Sequence, residues 1–384
     1  MSIKSALGLE SERKVRYAIV GLGDISQEAL LPGVSHTGNS EVTAFVTGDA
    51  EKARKLGEMY GVTETYRYDE FDQLLHSGLV DAIYLATPNW RHAEFIIPAL
   101  KAGIHVLAEK PLEVTTALCR EIMDVQAASK AKLMVAYRLH FEPATLATID
   151  LIRSGDLGDV TLFTSSFAQM VSAENHRARN GNLAGPVMDM GPYPVNAARY
   201  VFGDEPEEVV SAVGSRHPEA GFGDFDDTVA VTLRFPGNRL AQFVVSYFAN
   251  TIDSFFALGT KGSVHVNPAY MFGKPLEQIV TVGQSQKHHS FKNTDHFGGE
   301  LKYFSDCILE DRSPEPDAEE GYADVRVLEA ILRALETGAP QKLEPFTRTR
   351  RIDTAQVQTL SARKPPELVN ASNPSRDMEK APKN

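Results

Sequence analysis

The chain has 384 residues, 42% hydrophobic and 23% charged, which suits a globular protein of two domains rather than one. A formal net charge of −12 argues against a general nucleic-acid binder, and no run of about 18 apolar residues is present to span a membrane. Two cysteines, Cys119 and Cys307, leave little room for a disulfide framework and cannot alone build a cysteine-rich metal site, so no metal is expected.

Residues 1–14 are polar and mixed in charge, without an apolar signal region. They read as a short N-terminal arm, and a cytoplasmic protein is expected, with the periplasm left open where an export signal has been removed. From Val15 to Ala136 strand-like and helix-like patterns alternate. The strands are Val15–Val20, 41–46, 82–86, 105–108 and Leu133–Ala136. The helices are 27–35 (interrupted by Pro32), Ala50–Tyr60, 69–76, His92–Lys101 and 115–129. This alternation predicts an α/β Rossmann domain over 15–136, with a parallel sheet and ligands beyond the carboxyl ends of its strands. Gly21–Gly23, Thr47–Asp49, Thr87–Asn89 and Glu109–Pro111 all fall at such ends and should line one crevice.

After about residue 156 strands follow one another with little helix between: 160–167, 209–214, 229–235, 240–247, 255–258 and 263–266. Pro236-Gly237-Asn238 marks a hairpin. Residues 137–345 are therefore expected to form an α+β domain with a large, open, predominantly antiparallel sheet and helices at 194–202, 295–309 and 324–336. His288-His289 is read as a loop. Residues 346–384 read as a tail, disordered from Ser361 onward where Pro, Asn and Lys accumulate.

Gly21-x-Gly23-x-x-Ser26 is a dinucleotide fingerprint with its third glycine replaced, which should loosen helix–strand packing while sparing the two phosphate contacts. The second strand ends Val46-Thr47-Gly48-Asp49, followed by Lys52. Thr47 can donate to a 2′-phosphate and Lys52 can neutralise it, whereas Asp49 would serve the ribose of NAD; NADP is favoured over NAD. Arg54 and Lys55 read as a solvated helix face.

Glu109-Lys110-Pro111, Thr87-Pro88-Asn89-x-x-His92 and the fingerprint together resemble the Gfo/Idh/MocA family of sugar and polyol oxidoreductases, in particular its glucose–fructose oxidoreductase branch. The likeness runs from about Tyr17 to Gly338. It includes Ala50-Glu51-Lys52-Ala53, Tyr137-Arg138-x-His140-Phe141-x-Pro143, Met188-Asp189-Met190-Gly191-x-Tyr193 and Gly203-x-Glu205-Pro206.

The resemblance implies a second-domain sheet whose face joins subunits into homodimers or homotetramers, and a small-molecule sugar substrate. It implies a cofactor held by Gly21, Leu22, Gly23, Asp24, Ile25, Thr47, Gly48, Lys52, Thr87, Pro88, Asn89, His92, Glu109, Lys110 and Arg138. Substrate is expected against Lys110, Tyr137, Asp189 and Tyr193, with Lys110, Tyr193 and Asp189 catalytic. His140 reads equally as structural or substrate-binding.

The physical case is that a free tyrosine, with a pKa near 10, is too weakly acidic to act as a base at neutral pH. A lysine ammonium close by stabilises its phenolate. Leu183-Ala184-Gly185-Pro186-Val187 is shorter and stiffer than the family's glycine-rich run before the Asp189 position, and the arm is shorter than the family's cofactor-clasping arm. Both leave the sugar and the permanence of cofactor binding open. The activities to be weighed are an aldose oxidoreductase with retained NADP, a xylose or trans-dihydrodiol dehydrogenase, and a non-catalytic NADP sensor.

Overall fold

The computed structural model describes residues 13–348, 350–364 and 366–371; most of the N-terminal arm and residues 372–384 lie outside the described residues. The first unit runs β1 (Val15–Val20), a π-helical segment Ser26–Leu30 leading into α1 (Leu31–Val34), β2 (Ser40–Val46), α2 (Ala50–Tyr60), β3 (Glu64–Tyr66), α3 (Phe71–Leu75), β4 (Ala82–Leu85), α4 (His92–Lys101), β5 (His105–Glu109), α5 (Thr116–Ala127) and β6 (Leu133–Ala136). Its strands pair in parallel in the order β3-β2-β1-β4-β5-β6. The order reverses beside β1, and at that switch point the carboxyl ends of β1 and β4 open a ligand crevice. The central strands are continuous apolar runs because both faces are covered by helices.

The second unit contains α6 (Pro143–Arg153), β7 (Val160–Ala168), α7 (Pro186–Asp189), α8 (Pro192–Phe202), β8 (Glu208–Ser215), β9 (Thr228–Phe235), β10 (Arg239–Ser246), β11 (Ile252–Gly259), β12 (Gly262–Val266), β13 (Glu277–Val282) and β14 (Ser285–Ser290), then α9 (His296–Leu309), α10 (Ala318–Thr337) and β15 (Gln341–Lys342). A nine-stranded sheet has the order β14-β13-β12-β11-β7-β10-β9-β8-β15 and is antiparallel except where β7 lies parallel to β10. The β9–β10 hairpin turns at Gly237 and Asn238, both with positive φ, as the Pro-Gly-Asn sequence predicts.

Three expectations need correction. His288 and His289 are not in a loop: they belong to the exposed edge strand β14, whose polar composition hid a strand pairing through its backbone. α10 starts at Ala318, six residues before the expected 324, because Asp317 caps it by accepting from the Glu320 amide. The described residues between 346 and 371, expected as part of a tail, are docked on the body of the protein. Arg348 is buried and ion-paired with Glu315, Asp317, Glu319 and Glu320. Further on, Ser361 bridges Thr294, and Val369 exchanges two hydrogen bonds with Gln27. A segment poor in apolar residues is held here by ion pairs of its arginines and by hydrogen bonds of its backbone. Among the described residues, β3, α6, α7, β13, β14 and β15 were not foreseen.

The downstream helices complete the first unit. α9 lays Leu301, Phe304 and Cys307 in the core formed with Val15, Tyr17 and Ile19, and the Tyr17 hydroxyl meets Ser305 at 2.8 Å. α10 joins both cores: Tyr322 and Val325 face the first sheet, while Val327, Leu328 and Ile331 face the second. Among the described residues no helix is long and apolar enough to cross a membrane.

Candidate active site

β1 delivers the chain into the fingerprint turn. Gly21 has φ +94°, and a Cβ there would come within 2.6 Å of the Ala86 carbonyl. Only glycine lets the turn pass so close to β4. An added Cβ on Gly23 meets nothing within 4 Å, so this side of the turn faces open groove. Ser26, in place of the third glycine, does not loosen the packing: it is fully buried and its hydroxyl donates to the Gly21 carbonyl at 2.7 Å. Leu22 offers the groove only backbone, since its side chain is in the core. Asp24 and Ile25 are half-buried at the start of the following helix. At the exit of β4, the Thr87 hydroxyl is buried with no hydrogen-bond partner among the described residues, and Pro88 and Asn89 are half-buried beside it. A flat glycine wall, an unsatisfied hydroxyl and a switch point fit a dinucleotide.

At the end of β2 the Thr47 hydroxyl accepts from the Asp49 amide at 3.2 Å and keeps its own proton to donate. Gly48 is exposed, and Lys52 is half-buried on the first turn of α2. Both Asp49 oxygens are engaged: one accepts from the Lys52 amide at 2.9 Å and caps α2, the other from the Asn370 side chain at 3.2 Å. Arg54 and Lys55 pair with Glu58 and Glu51 on the exposed helix face.

β5 ends at Glu109, and Lys110 follows it, joined to Pro111 by a cis peptide. The Glu109 carboxylate accepts from the Tyr84 hydroxyl at 2.6 Å. The Lys110 ammonium reaches into the second unit, donating to the Asp189 carbonyl at 2.8 Å and its carboxylate at 3.3 Å. It also sits 4.9 Å from the centroid of the Tyr193 ring. Burial pulls the Lys110 pKa down, but the charges of Tyr193, Asp189 and Glu109 outweigh it and raise the net value, so Lys110 stays a cation. Burial likewise pushes the Asp189 carboxyl up, and Arg177 and Lys110 override it, holding it at about 2.

Tyr193 is on the first turn of α8, wedged edge-on against Phe167 and beside Tyr270. Its hydroxyl accepts from Arg138 at 3.3 Å. Arg138 therefore lies on the Tyr193 side of the crevice, where it also bonds the Tyr270 carbonyl and lies 3.0 Å from His296. α8 is anchored below by Arg199, which is 1% exposed and bonds Glu205, Glu320 and Asp324.

Two expected groove residues face inward. His92 is fully buried, its ring within 3.0 Å of the Pro111 carbonyl and 3.2 Å of the Thr87 carbonyl, so it links the two crevice turns from behind. Burial brings its pKa down to about 4. Tyr137 turns under the groove and stacks on His140, its hydroxyl sealed from solvent, because the chain leaving β6 alternates faces. His140 is buried and held between Asn196 and Glu315.

Two contributors escaped the sequence reading. Arg177 pairs with Asp189 at 3.1 Å, and the Tyr247 hydroxyl lies 2.8 Å from the same carboxylate and from the Ala184 carbonyl. Arg177 lies in an aperiodic polar stretch that offers no signal. Tyr247 had a weak one: it is an aromatic at the point where β10 leaves the sheet.

Residues 15–137 match the oxidoreductase family with an NAD-binding Rossmann fold, and residues 145–265 match the GFO/IDH/MocA C-terminal domain. The chain belongs to the Gfo/Idh/MocA family. This Gfo/Idh/MocA protein is 31% identical to the NADP(+) D-xylose 1-dehydrogenase of Haloarcula marismortui over 343 residues, covering 87% of this chain and 94% of the relative. It is 28% identical to human trans-1,2-dihydrobenzene-1,2-diol dehydrogenase, covering 85% and 98%. The crystal structure of an aldose–aldose oxidoreductase from Caulobacter crescentus superposes with a TM-score of 0.81 at 34% identity, covering 86% of this chain and all of that one.

Proposed function

We propose that this protein is an NADP-dependent oxidoreductase acting on a hydroxyl or hemiacetal carbon of a cyclic aldose. The observation that carries the reading is that two cations flank one phenol at the crevice: Lys110 over the Tyr193 ring and Arg138 on its oxygen. Tyr193, with Arg138 donating to its oxygen and Lys110 over its ring, is the group placed to take the proton of a sugar hydroxyl and return it in the reverse direction. Asp189, ionised at neutral pH, holds the Lys110 ammonium in place and orients the substrate hydroxyl. Gly21, Gly23, Asp24, Thr47, Lys52, Thr87 and Asn89 would hold NADP, which when bound would supply the acceptor for the hydride of the same carbon. NADP is preferred over NAD because the Thr47 hydroxyl keeps its proton to donate to a 2′-phosphate and Lys52, on the first turn of α2, can neutralise it.

The relatives' names favour a sugar or diol substrate without choosing between a two-sugar oxidoreductase and a simple xylose or diol dehydrogenase. Mass spectrometry of protein purified without added cofactor, followed by a sugar panel, separates them: turnover only when two sugars are supplied supports the first. Tyr193→Phe should lower kcat by about 10²-fold or more; unchanged kcat with a raised KM would reduce Tyr193 to a binding residue. Lys110→Met leaving turnover within about tenfold, under ~1.4 kcal/mol, would remove its catalytic role.

The nine-stranded sheet exposes Val213, Val244, Ile252 and Phe256. The same reading has a second copy cover this face, and light scattering that shows a monomer at working concentration overturns it.

A further inference from the structure

The C-terminal stretch returns to the opposite end of the sequence. The Val369 amide donates to the Gln27 side-chain oxygen at 2.7 Å, and the Gln27 side-chain nitrogen donates to the Val369 carbonyl at 3.0 Å. This two-way clasp closes residues 342 apart in sequence. The same Gln27 nitrogen lies 2.9 Å from the Leu22 carbonyl, in the fingerprint turn itself. One residue further, Asn370 donates to Asp49 at the end of β2. Asn370 has φ +45°, a left-handed conformation that turns the chain between the two anchors. The Val369 side chain packs on the core that contains Leu22 and Leu30.

Gln27 and Asp49 mark the two sides of the crevice where the first two strands end. In a sheet of this order that is the adenosine half of a dinucleotide site. A segment tied to both spans that half from outside. Gln27 is 1% exposed and its amide is committed on both atoms, so the clasp is bonded to a rigid element rather than resting on a mobile surface.

We propose that residues 366–371 form the outer wall of the cofactor groove at its adenosine end and hold NADP in place between turnovers. This rests on the NADP reading above and adds the part of the chain that retains the cofactor. Retention follows from geometry: release of the adenosine end requires the Gln27–Val369 and Asp49–Asn370 bonds to open first, whereas the nicotinamide end stays free to meet successive substrates.

Trp90, the one tryptophan of the chain, follows Asn89 at the exit of β4, so bound NADPH can be followed by energy transfer from it. The test is NADPH dissociation, measured by stopped flow after a chase with excess NADP, in the full chain and in a Val369→Pro/Asn370→Gly double variant. The variant removes the clasping N–H and the side-chain amide while glycine keeps the left-handed turn. Dissociation about tenfold faster or more, with the melting temperature of the cofactor-free protein kept, supports the proposal; a rate within about twofold of the parent overturns it. Hydrogen exchange on the unaltered protein is the second measurement. Adenosine 2′,5′-bisphosphate, which carries only the adenosine half, should slow exchange across 366–371, and no slowing overturns the proposal without any variant. A parent chain that binds no NADP at all overturns the cofactor reading together with the clasp, whereas a parent that binds and a variant that releases no faster overturns the clasp alone.

Discussion

Glu300 on α9 is fully buried, and neither carboxylate oxygen has a hydrogen-bond partner among the described residues. Burial raises its pKa well above the ordinary value, and the negative charges of Glu109 and Asp295 add to that, while Arg138 opposes. The folded value thus lies above the unfolded one, so between the two the folded state holds a proton that the unfolded state has lost. Stability from this group is fully present below pH ~4.3 and falls as pH rises, by about 1.4 kcal/mol per pH unit, until the folded carboxyl ionises. Each pH unit crossed in that interval therefore costs about 1.4 kcal/mol, or roughly 1–3 °C in melting temperature. Glu300→Gln keeps the shape and removes the titration. The expected result is a variant equal to the parent near pH 5 and progressively more stable toward pH 8. Thermal unfolding by circular dichroism in paired buffers cancels every other titrating group in the difference. A difference that stays constant from pH 5 to pH 8 refutes the picture of a neutral buried acid.

Arg199→Met removes the cation shared by Glu205, Glu320 and Asp324 and should cost about 3–5 kcal/mol, read by denaturant unfolding; a loss under ~1 kcal/mol would mean the carboxylates find other partners. Gly21→Ala forces a side chain into the left-handed region and onto the Ala86 carbonyl. It should cost about 1–3 kcal/mol from backbone strain alone and weaken NADPH binding measured by Trp90 quenching; unchanged binding would place the cofactor elsewhere. Arg177→Met should release Asp189 upward from about 2 and loosen Lys110, lowering kcat about tenfold. A change confined to KM would make Arg177 a substrate contact instead.

The parallel sheet was legible because its strands are short, apolar and punctuated by glycine, proline and asparagine. The meeting of Lys110, Asp189 and Tyr193 was legible through motifs and not through spacing, since Lys110 and Asp189 are 79 residues apart. His92 and Tyr137 misled for different reasons: His92 opens α4 and turns its ring back onto the Pro111 and Thr87 carbonyls, whereas Tyr137 follows β6, where successive residues face opposite ways and sequence gives the end without the direction. Arg177 and the Val369–Asn370 clasp were illegible, and Tyr247 nearly so, because each acts through a few long-range contacts with no periodic pattern of its own. β14 was missed because an edge strand is held by backbone hydrogen bonds and can be wholly polar.

α10 is 20 residues long, about 30 Å of rigid rod. Its first half is wedged so tightly that a Cβ on Gly321 would meet Leu112 at 2.7 Å, while its second half lies under the other sheet. A rod keyed into both bodies acts as a brace: it resists any swing that would part the crevice by moving one body as a whole. Traffic through the crevice must then depend on small parts giving way at its rim. Cutting the chain at 136 would also strip the first sheet of its cover, leaving Leu112 and Val135 bare, so the two halves that sequence separates should melt as one.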